Sequence, residues 1–304
     1  RERGHRLAQV AAFGFAAMGE GGAKAAVLDA VGEMERDPRF NAGYGSKLQQ
    51  DGIVRVSASL MDGARTRMTG VYNVQRCLHP SQLAAALQEY GDRNLDGEGA
   101  RILMSSLGVK DHDLRSPQAI ERWEYLMETG GVADAEGAIG DSGAEGAAKA
   151  IRHKVEVPDD LRGKKDSPED RYGTVGAVAV GANGDLWACT STGGRGHEAV
   201  GRVSDSPTPS GNYACPEVAI SATGFGEQIL DLNICGRIAT RVIDGMSLED
   251  ALARTFDEVV SCGGLLGVIA VTAGGVVGYA HSTDACGVAW IDGAGSQHID
   301  RHGR

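Results

Sequence analysis

Several features that would mark common protein classes are missing from this sequence. No apolar run is long enough to cross a bilayer, which argues against a membrane-spanning protein. Basic residues are fewer than acidic ones, 30 against 41, and the formal net charge is −11. Because nucleic acids and anionic membranes attract basic surfaces, we expect neither as a partner. A small molecule or a peptide remains as the candidate substrate.

Cysteine pairs and nucleotide-binding motifs are also absent. The six cysteines stand singly with no C-x-x-C pair, which favours free thiols in a reducing compartment, and we expect a cytoplasmic protein. No P-loop is present, and no G-x-G-x-x-G follows a strand. Prolines number only 8 against 45 glycines. The glycines occur in small clusters between apolar runs, which is typical of tight turns in one folded domain.

The first part of the chain predicts helices followed by strands. Apolar spacing in residues 1–36 predicts two helices separated by a break at Gly19–Gly22. We then expect two strands and a helix, at Ile53–Met61, Gly70–Arg76 and Pro80–Tyr90. Residues 130–171 have almost no large apolar side chains, so we interpret them as an exposed, mobile linker.

The second part predicts two hairpins around two helices. The first hairpin joins Val175–Val180 to Leu186–Thr190 through an Asn-Gly turn, and the second joins Leu265–Thr272 to Val276–His281. The predicted helices are Gly226–Ile243 and Leu248–Ser261, the latter with Ser247 as N-cap. Strands flanking helices in both halves indicate a layered α/β protein with a largely antiparallel sheet core. We interpret His298, Asp300 and His302 as a solvated tail rather than a metal site.

The junction Gly173-Thr174 lies where the predicted linker meets a strand of apolar residues. A threonine at the N-terminus of a chain has a hydroxyl nucleophile and an α-amine that titrates near pH 7.7–8 and can act as its base. Within an intact chain that amine is a peptide nitrogen. Cleavage between Gly173 and Thr174 would therefore activate the threonine.

Five ordered motifs strengthen this interpretation. They are Phe40-Asn41-Ala42-Gly43, Met61-Asp62-Gly63, Gly173-Thr174-Val175-Gly176, Ser191-Thr192-Gly193-Gly194 with Gly201-Arg202-Val203-Ser204-Asp205-Ser206-Pro207, and Thr223-Gly224-Phe225-Gly226-Glu227. Together they resemble the plant-type isoaspartyl peptidase/L-asparaginases, which are N-terminal-nucleophile hydrolases. The resemblance covers nearly the whole chain and implies a four-layer αββα sandwich.

The resemblance implies a role for each matching residue. Thr174 matches the nucleophile, and Thr192 the threonine that assists it. Arg202 and Asp205 match the pair that holds the α-carboxylate and α-ammonium of the substrate, in keeping with their charges. The remaining matches are Thr223 and Gly224 for the oxyanion hole, the Gly226 carbonyl for the substrate amine, and Asn41 for support of the oxyanion during cleavage or orientation of the nucleophile. The two residues of the oxyanion hole also precede a predicted helix, whose N-terminus favours negative charge.

No catalytic cofactor is implied, but a structural sodium ion is. Its ligands in relatives are carbonyl oxygens of a loop that matches Met34, Glu35, Asp37, Phe40, Ala42 and Tyr44. A simple turn is nearly as good an interpretation of this segment.

Four departures from the family pattern concern the substrate and the N-terminus. Ser57 stands where many members have Asp, Ser204 replaces a commoner Gly, and loop 195–200 lacks the usual Lys and Pro. Because that loop borders the substrate, substrate preference is the property that the sequence predicts least. The family's opening strand with its G-G-A-G stretch is absent, and we expect it upstream of Arg1.

The sequence therefore predicts an autocleaving amidohydrolase. Cleavage would give an α subunit, residues 1–173, and a β subunit, residues 174–304, paired as a dimer of αβ units. The predicted substrates are isoaspartyl dipeptides and L-asparagine, through a β-aspartyl-threonine ester. A glycosylasparaginase-like amidase is the nearest alternative, but that branch tends to have S-T-N-G instead of S-T-G-G. Threonine aspartase or an uncleaved, inactive binding protein on the same fold are weaker alternatives.

Overall fold

The computed structural model describes residues 2–128, 173–283 and 286–300, with side chains from residue 5 onward. The described helices are α1 (Glu2–Arg36), α2 (Pro80–Ala86), α3 (Gly97–Ser106), α4 (Pro117–Glu128), α5 (Gly226–Leu232), α6 (Ile234–Ile243) and α7 (Leu248–Ser261). The described strands are β1 (Val56–Asp62), β2 (Arg67–Val74), β3 (Asn94–Leu95), β4 (Val175–Val180), β5 (Leu186–Thr192), β6 (Asn212–Ala214), β7 (Val218–Gly224), β8 (Leu266–Thr272), β9 (Val277–His281), β10 (Val288–Ile291) and β11 (Gln297–Asp300). The predicted linker 130–171 lies outside the described residues.

The strands form two main sheets and one small one. The first sheet has the order β3-β2-β1-β5-β4, the second β6-β7-β8-β9, and β10 pairs with β11. All these pairings are antiparallel except that of β2 with β3. The prediction of a largely antiparallel core is confirmed.

Helices cover the outer face of each main sheet. Helix α1 packs on β4 and β5, and α2 packs on β1. On the other side, α6 packs on β7 and α7 packs on β9, while β4 and β5 of the first sheet contact β7 of the second. The order helix, sheet, sheet, helix is the predicted four-layer αββα sandwich.

The space between the two sheets changes from apolar to polar along the strands. At one end lies a buried apolar cluster that includes Met61, Leu186, Ala188 and Ala219, with the partly buried Val178 packed against it. Since alternate residues of a strand face the same side, the next residues facing this space are Ser59, Gly176, Thr190 and Ser221, and the following ones are Ser57, Thr174, Thr192 and Thr223. We call this last set the hydroxyl layer.

Helix α1 has the break that the sequence predicts. Gly22 has φ 68° and ψ −165°, which is non-helical and divides the element into two helical parts. Both parts bury apolar side chains, among them Val10 before the break and Val27 and Val31 after it. The first part therefore also belongs to the outer layer of the sandwich.

Element boundaries differ from the predicted ones where local backbone chemistry intervenes. Helix α2 ends at Ala86 and continues as a 3-10 turn, Leu87–Glu89. The predicted helix Gly226–Ile243 is two helices, because Asn233 adopts a left-handed conformation with φ 46°. Helix α7 has the predicted bounds, and its Ser247 hydroxyl accepts the N–H of Asp250 at 3.1 Å.

The prediction of a solvated tail is wrong for residues 297–300. They form β11, where the ring of His298 stacks on Trp290 with a centroid distance of 4.9 Å and its Nε2 lies 2.9 Å from Asp292 Oδ2. Asp300 accepts a hydrogen bond from the Tyr279 hydroxyl at 2.7 Å, while His302 lies outside the described residues. No helix in the described part is long and apolar enough to cross a membrane.

Candidate active site

The hydroxyls of Thr174 and Thr192 meet at the polar end of the space between the sheets. Thr174 precedes β4, and the pairing of Gly176 with Thr190 brings it opposite Thr192 at the end of β5. Thr174 Oγ1 donates a hydrogen bond of 3.1 Å to Thr192 Oγ1. Thr192 Oγ1 also accepts the Gly194 N–H at 3.3 Å. Thr192 is buried and Thr174 half-buried, so this interaction fixes the side chain of Thr174 while leaving it accessible.

Asn41 contacts the residue before the predicted cleavage point and the turn after Thr192. Its side-chain Nδ2 donates to the carbonyl oxygen of Gly194, and its backbone carbonyl oxygen accepts the Gly193 N–H at 2.9 Å. A Cβ placed on Gly173 would lie 2.5 Å from Asn41 Cβ, so only glycine fits at that position. Asn41 therefore lies between the residue before Thr174 and the turn after Thr192.

Thr223 reaches the same end of the sandwich from the second sheet. The Thr190 and Ser221 hydroxyls are 2.6 Å apart, and a Cβ on Gly176 would lie 2.0 Å from Ser221 Oγ. One strand repeat further along, Thr174 and Thr223 therefore face each other across the gap.

The backbone around the predicted oxyanion hole is conformationally restricted. Gly224 has φ 136°, and a Cβ there would lie 2.5 Å from the Leu265 carbonyl oxygen, so glycine is required. Helix α5, which follows, has only seven residues. Its dipole should therefore stabilise negative charge less than that of the predicted long helix, which is divided at Asn233.

Arg202 forms a bidentate ion pair with Glu227. Its Nε and Nη2 donate to the two carboxylate oxygens at 2.7 and 2.9 Å. Burial raises the pKa of Glu227, but the hydrogen bonds and charge of Arg202 lower it by more, so it lies below the ordinary value. The Arg202 side chain is only 10% exposed, and this pairing orients a guanidinium that would otherwise be costly to bury.

Asp205 is a buried carboxylate with unused hydrogen-bonding capacity. Its Oδ1 accepts the Ser204 hydroxyl at 2.8 Å, and its Oδ2 has no partner in the described part of the chain. Burial raises the pKa of Asp205 to about 7, although Ser204 and the charge of Arg202 oppose the shift. A cationic donor entering beside Oδ2 would stabilise the ionised form.

Gly226 brings the three predicted substrate-binding residues together. A Cβ on Gly226 would lie 2.8 Å from both Arg202 Nη2 and Asp205 Oδ1. Because Gly226 has no side chain, the Arg202 guanidinium and the Asp205 carboxylate can both lie close to the start of α5. The structure thus gathers Arg202, Asp205 and Gly226 at one place.

Loop 195–200 contributes a second buried carboxylate. Glu198 is 5% exposed, and its Oε2 has no partner among the described residues. A Cβ on Gly194 would lie 1.9 Å from Glu198 Oε1, and Gly194 has φ 79°. Glu198 therefore packs directly behind the turn that contacts Thr192.

The predicted sodium loop closes around two glycines. A Cβ on Gly43 would lie 2.2 Å from the Glu35 carbonyl oxygen, and one on Gly45 would lie 1.9 Å from that of Phe40. Backbone carbonyl groups are suitable ligands for a hard cation. The Asp37 side chain instead pairs with Arg6 and Arg39, and no cluster of three or more His, Cys, Asp or Glu suited to a metal occurs in the described part.

Sequence reasoning gave no role to four residues near this site. Glu227 and Phe225 stood within a recognised motif, Ser204 was noted only as a substitution, and Arg195 only as part of a loop. The available signal was the charge of Glu227 directly after Gly226, a predicted substrate-binding residue. The contact of Arg195 with Phe225 had none, because it joins two loops from different sheets.

Comparison with known proteins gives a consistent result along the chain. The model of the family described as asparaginase matches residues 1–300. A protein of Nostoc sp. named isoaspartyl peptidase/L-asparaginase is 36% identical over 271 residues, 89% of this chain and 79% of its own. One with the same name from Synechocystis sp. is 39% identical over 251 residues, 83% and 70% of the two chains. A plant-type L-asparaginase of Thermococcus kodakarensis is 30% identical over 282 residues, 91% and 86% of the two chains.

Proposed function

The chain belongs to the asparaginase family of N-terminal-nucleophile hydrolases, and we propose that it hydrolyses β-aspartyl dipeptides and L-asparagine with Thr174 as nucleophile. Thr174 directly follows Gly173, and its hydroxyl donates a hydrogen bond of 3.1 Å to the Thr192 hydroxyl. This hydrogen bond is the observation that carries the proposal. Enzymes of this type use no catalytic cofactor, because the free threonine supplies both nucleophile and base.

The threonine first has to be released from the chain. Thr174 Oγ attacks the carbonyl carbon of Gly173, the peptide C–N bond breaks as the acyl group moves from nitrogen to oxygen, and water then hydrolyses the ester. The products are an α subunit, 1–173, containing the linker 130–171, and a β subunit, 174–304. The close contact of Gly173 with Asn41 supports this step, since it places Asn41 beside the residue whose carbonyl is attacked.

Hydrolysis repeats the same chemistry on the substrate. The α-amine of Thr174 accepts the hydroxyl proton as Oγ attacks the side-chain amide carbon, and the proton then passes to the leaving amine or ammonia. Water cleaves the resulting β-aspartyl ester. Thr223 and Gly224 are proposed to stabilise the oxyanion, which develops on the substrate oxygen between the two sheets.

Recognition of the aspartyl end fits the charges of the pocket. The guanidinium of Arg202 would receive the α-carboxylate, and Asp205 together with the Gly226 carbonyl would receive the α-ammonium. Three observations support this assignment: the ion pair that orients Arg202, the unpartnered Oδ2 of Asp205, and the close approach of both Arg202 and Asp205 to Gly226.

The carbonyl loop is proposed to bind one structural sodium ion. Its ligands would be carbonyl oxygens of Met34, Glu35, Asp37, Phe40, Ala42 and Tyr44. The carbonyl oxygens of Glu35 and Phe40, which lie against Gly43 and Gly45, support this. Replacing sodium by choline in the buffer should lower the thermal midpoint, and adding sodium back should restore it. Equal midpoints in both buffers would contradict a sodium site.

The mature αβ unit is further proposed to pair with a second copy. Phe13 and Phe15 on α1 are 49% and 41% exposed, and this exposed apolar area on α1 supports the pairing. Light scattering after gel filtration should give twice the mass of one chain.

We also propose a reducing compartment, because all six cysteines lie in the described part and are free thiols.

Substrate choice is tested by direct comparison. The purified, processed protein should release aspartate from β-aspartyl dipeptides and from L-asparagine. Faster hydrolysis of glycosylated asparagine would instead support the glycosylasparaginase-like alternative. No hydrolysis of any of them by fully cleaved protein would contradict the proposed function.

A further inference from the structure

Arg195 and Phe225 form a contact across the mouth of the site. Arg195 follows the turn after Thr192 in the first sheet, and Phe225 lies between Gly224 and Gly226 at the end of the second. The Arg195 guanidinium carbon lies 5.1 Å from the centre of the Phe225 ring. The contact therefore spans the end of the sandwich where Thr174 lies.

The hydrogen-bond donors of Arg195 are unused in the described part of the chain. The nearest carboxylate oxygen, Glu227 Oε2, is 3.9 Å from Arg195 Nη1, which is beyond hydrogen-bonding distance. Glu227 already receives both of its hydrogen bonds from Arg202. Stacking on an aromatic ring occupies the face of a guanidinium and leaves its edge free to bind an anion.

The guanidiniums of Arg202 and Arg195 thus both lie beside Glu227. A β-aspartyl dipeptide, in turn, carries two carboxylates that two such groups could bind. One belongs to the aspartyl residue and the other to the leaving amino acid, so they flank the scissile amide. L-Asparagine has only the first. A second cationic group near the first matches the dipeptide and not the free amino acid.

We propose that Arg195, held by Phe225, binds the carboxylate of the leaving amino acid and so makes this enzyme select β-aspartyl dipeptides over L-asparagine. The inference rests on the proposed function and adds the residue that sets its substrate preference. Arg195 acts in binding, and the chemistry at Thr174 does not require it. Its side chain is 36% exposed, so replacing it should not disturb folding.

The test compares three substrates: β-aspartyl-leucine, the same dipeptide with a C-terminal amide, and L-asparagine. For the wild type, the free acid should be preferred to the amide. Arg195→Met should lower the ratio of kcat/KM for the free acid to that for asparagine by about 10- to 100-fold, the range for loss of a charge-assisted hydrogen bond. The loss should appear in KM, and the preference for the acid over its amide should disappear.

Two further variants complete the experiment. Phe225→Leu should give a smaller decrease of the same ratio, because Arg195 remains but loses its support. Arg254→Met, at an arginine of α7 that is 64% exposed, is the matched control and should leave the ratio unchanged. An equal loss on all three substrates with Arg195→Met, or no loss on any, would overturn the role of Arg195. Absence of hydrolysis by the wild type would instead overturn the proposed function.

Discussion

The space between the two sheets is lined by β1, β4, β5 and β7, and its two ends differ in polarity. At one end, side chains such as Leu186 and Val178 pack into a buried cluster. At the other, the same faces present Thr192 and Thr174, whose hydroxyls are hydrogen-bonded. The comparison indicates that the apolar end holds the sheets together and the hydroxyl layer can be specialised for chemistry. The two properties should therefore be separable by mutation.

The largest effect is expected for Thr174→Ala. Without its hydroxyl the chain has neither a group to cleave itself nor a nucleophile, so kcat should fall by at least about 10⁴-fold. A rate assay with L-asparagine measures this. Thr174→Ser, which retains a hydroxyl, should keep part of the activity, and substantial activity in the Ala variant would refute the assignment.

Thr192→Val should separate catalysis from stability. It removes the acceptor of the Thr174 hydrogen bond while preserving shape, and we expect kcat to fall by about 10²-fold with little change in KM. Thr190→Val is the matched control, one strand repeat earlier on the same face. Thr190 bonds Ser221 and Asn212 and should affect mainly the free energy of unfolding. A reversal of these two effects would contradict the division along β5.

Leu186→Ala should do the opposite of Thr192→Val. Leu186 is 1% exposed at the apolar end of the same strand, and the resulting cavity should lower the free energy of unfolding by about 2–5 kcal/mol. Urea denaturation measures this loss, and kcat of the folded fraction should stay within about twofold of the wild type. A large loss of kcat would mean that the two ends are not independent.

Asp205→Asn should change how stability depends on pH. Because burial raises the folded-state pKa of Asp205 to about 7, well above the ordinary value of an aspartate, the folded protein holds a proton that the unfolded chain has lost between these two values. The wild type should therefore lose stability as pH rises from about 4 to 7, by up to a few kcal/mol. The Asn variant lacks this contribution, so its urea midpoint should fall less over that range. Parallel pH profiles would show that the Asp205 pKa is not raised.

The sequence predicted the elements that periodicity and turn residues determine. The break in α1 and the bounds of α7 follow from Gly22 and the Ser247 cap, which act locally. The division of the helix at Asn233 was missed, because the apolar pattern continues through it. Strand β11 was also missed, since a polar stretch reads as a tail unless its partner strand is known.

The candidate site shows the same limit. Motifs identified Thr174, Thr192 and Asn41, because each lies in a short pattern of the asparaginase family. The bonding of Arg202 to Glu227 and the contact of Arg195 with Phe225 depend on how separate loops meet in space. Sequence spacing carries no information about such contacts, so substrate preference could be inferred only from the fold.

Self-cleavage at Thr174 is tested most directly by the fragments of the purified protein. On a denaturing gel, the wild type should give two fragments after incubation, and N-terminal sequencing of one should begin Thr174-Val175-Gly176. Thr174→Ala should remain a single band. A wild-type protein that stays intact after long incubation, or one cut at another bond, would contradict Thr174 as an N-terminal nucleophile.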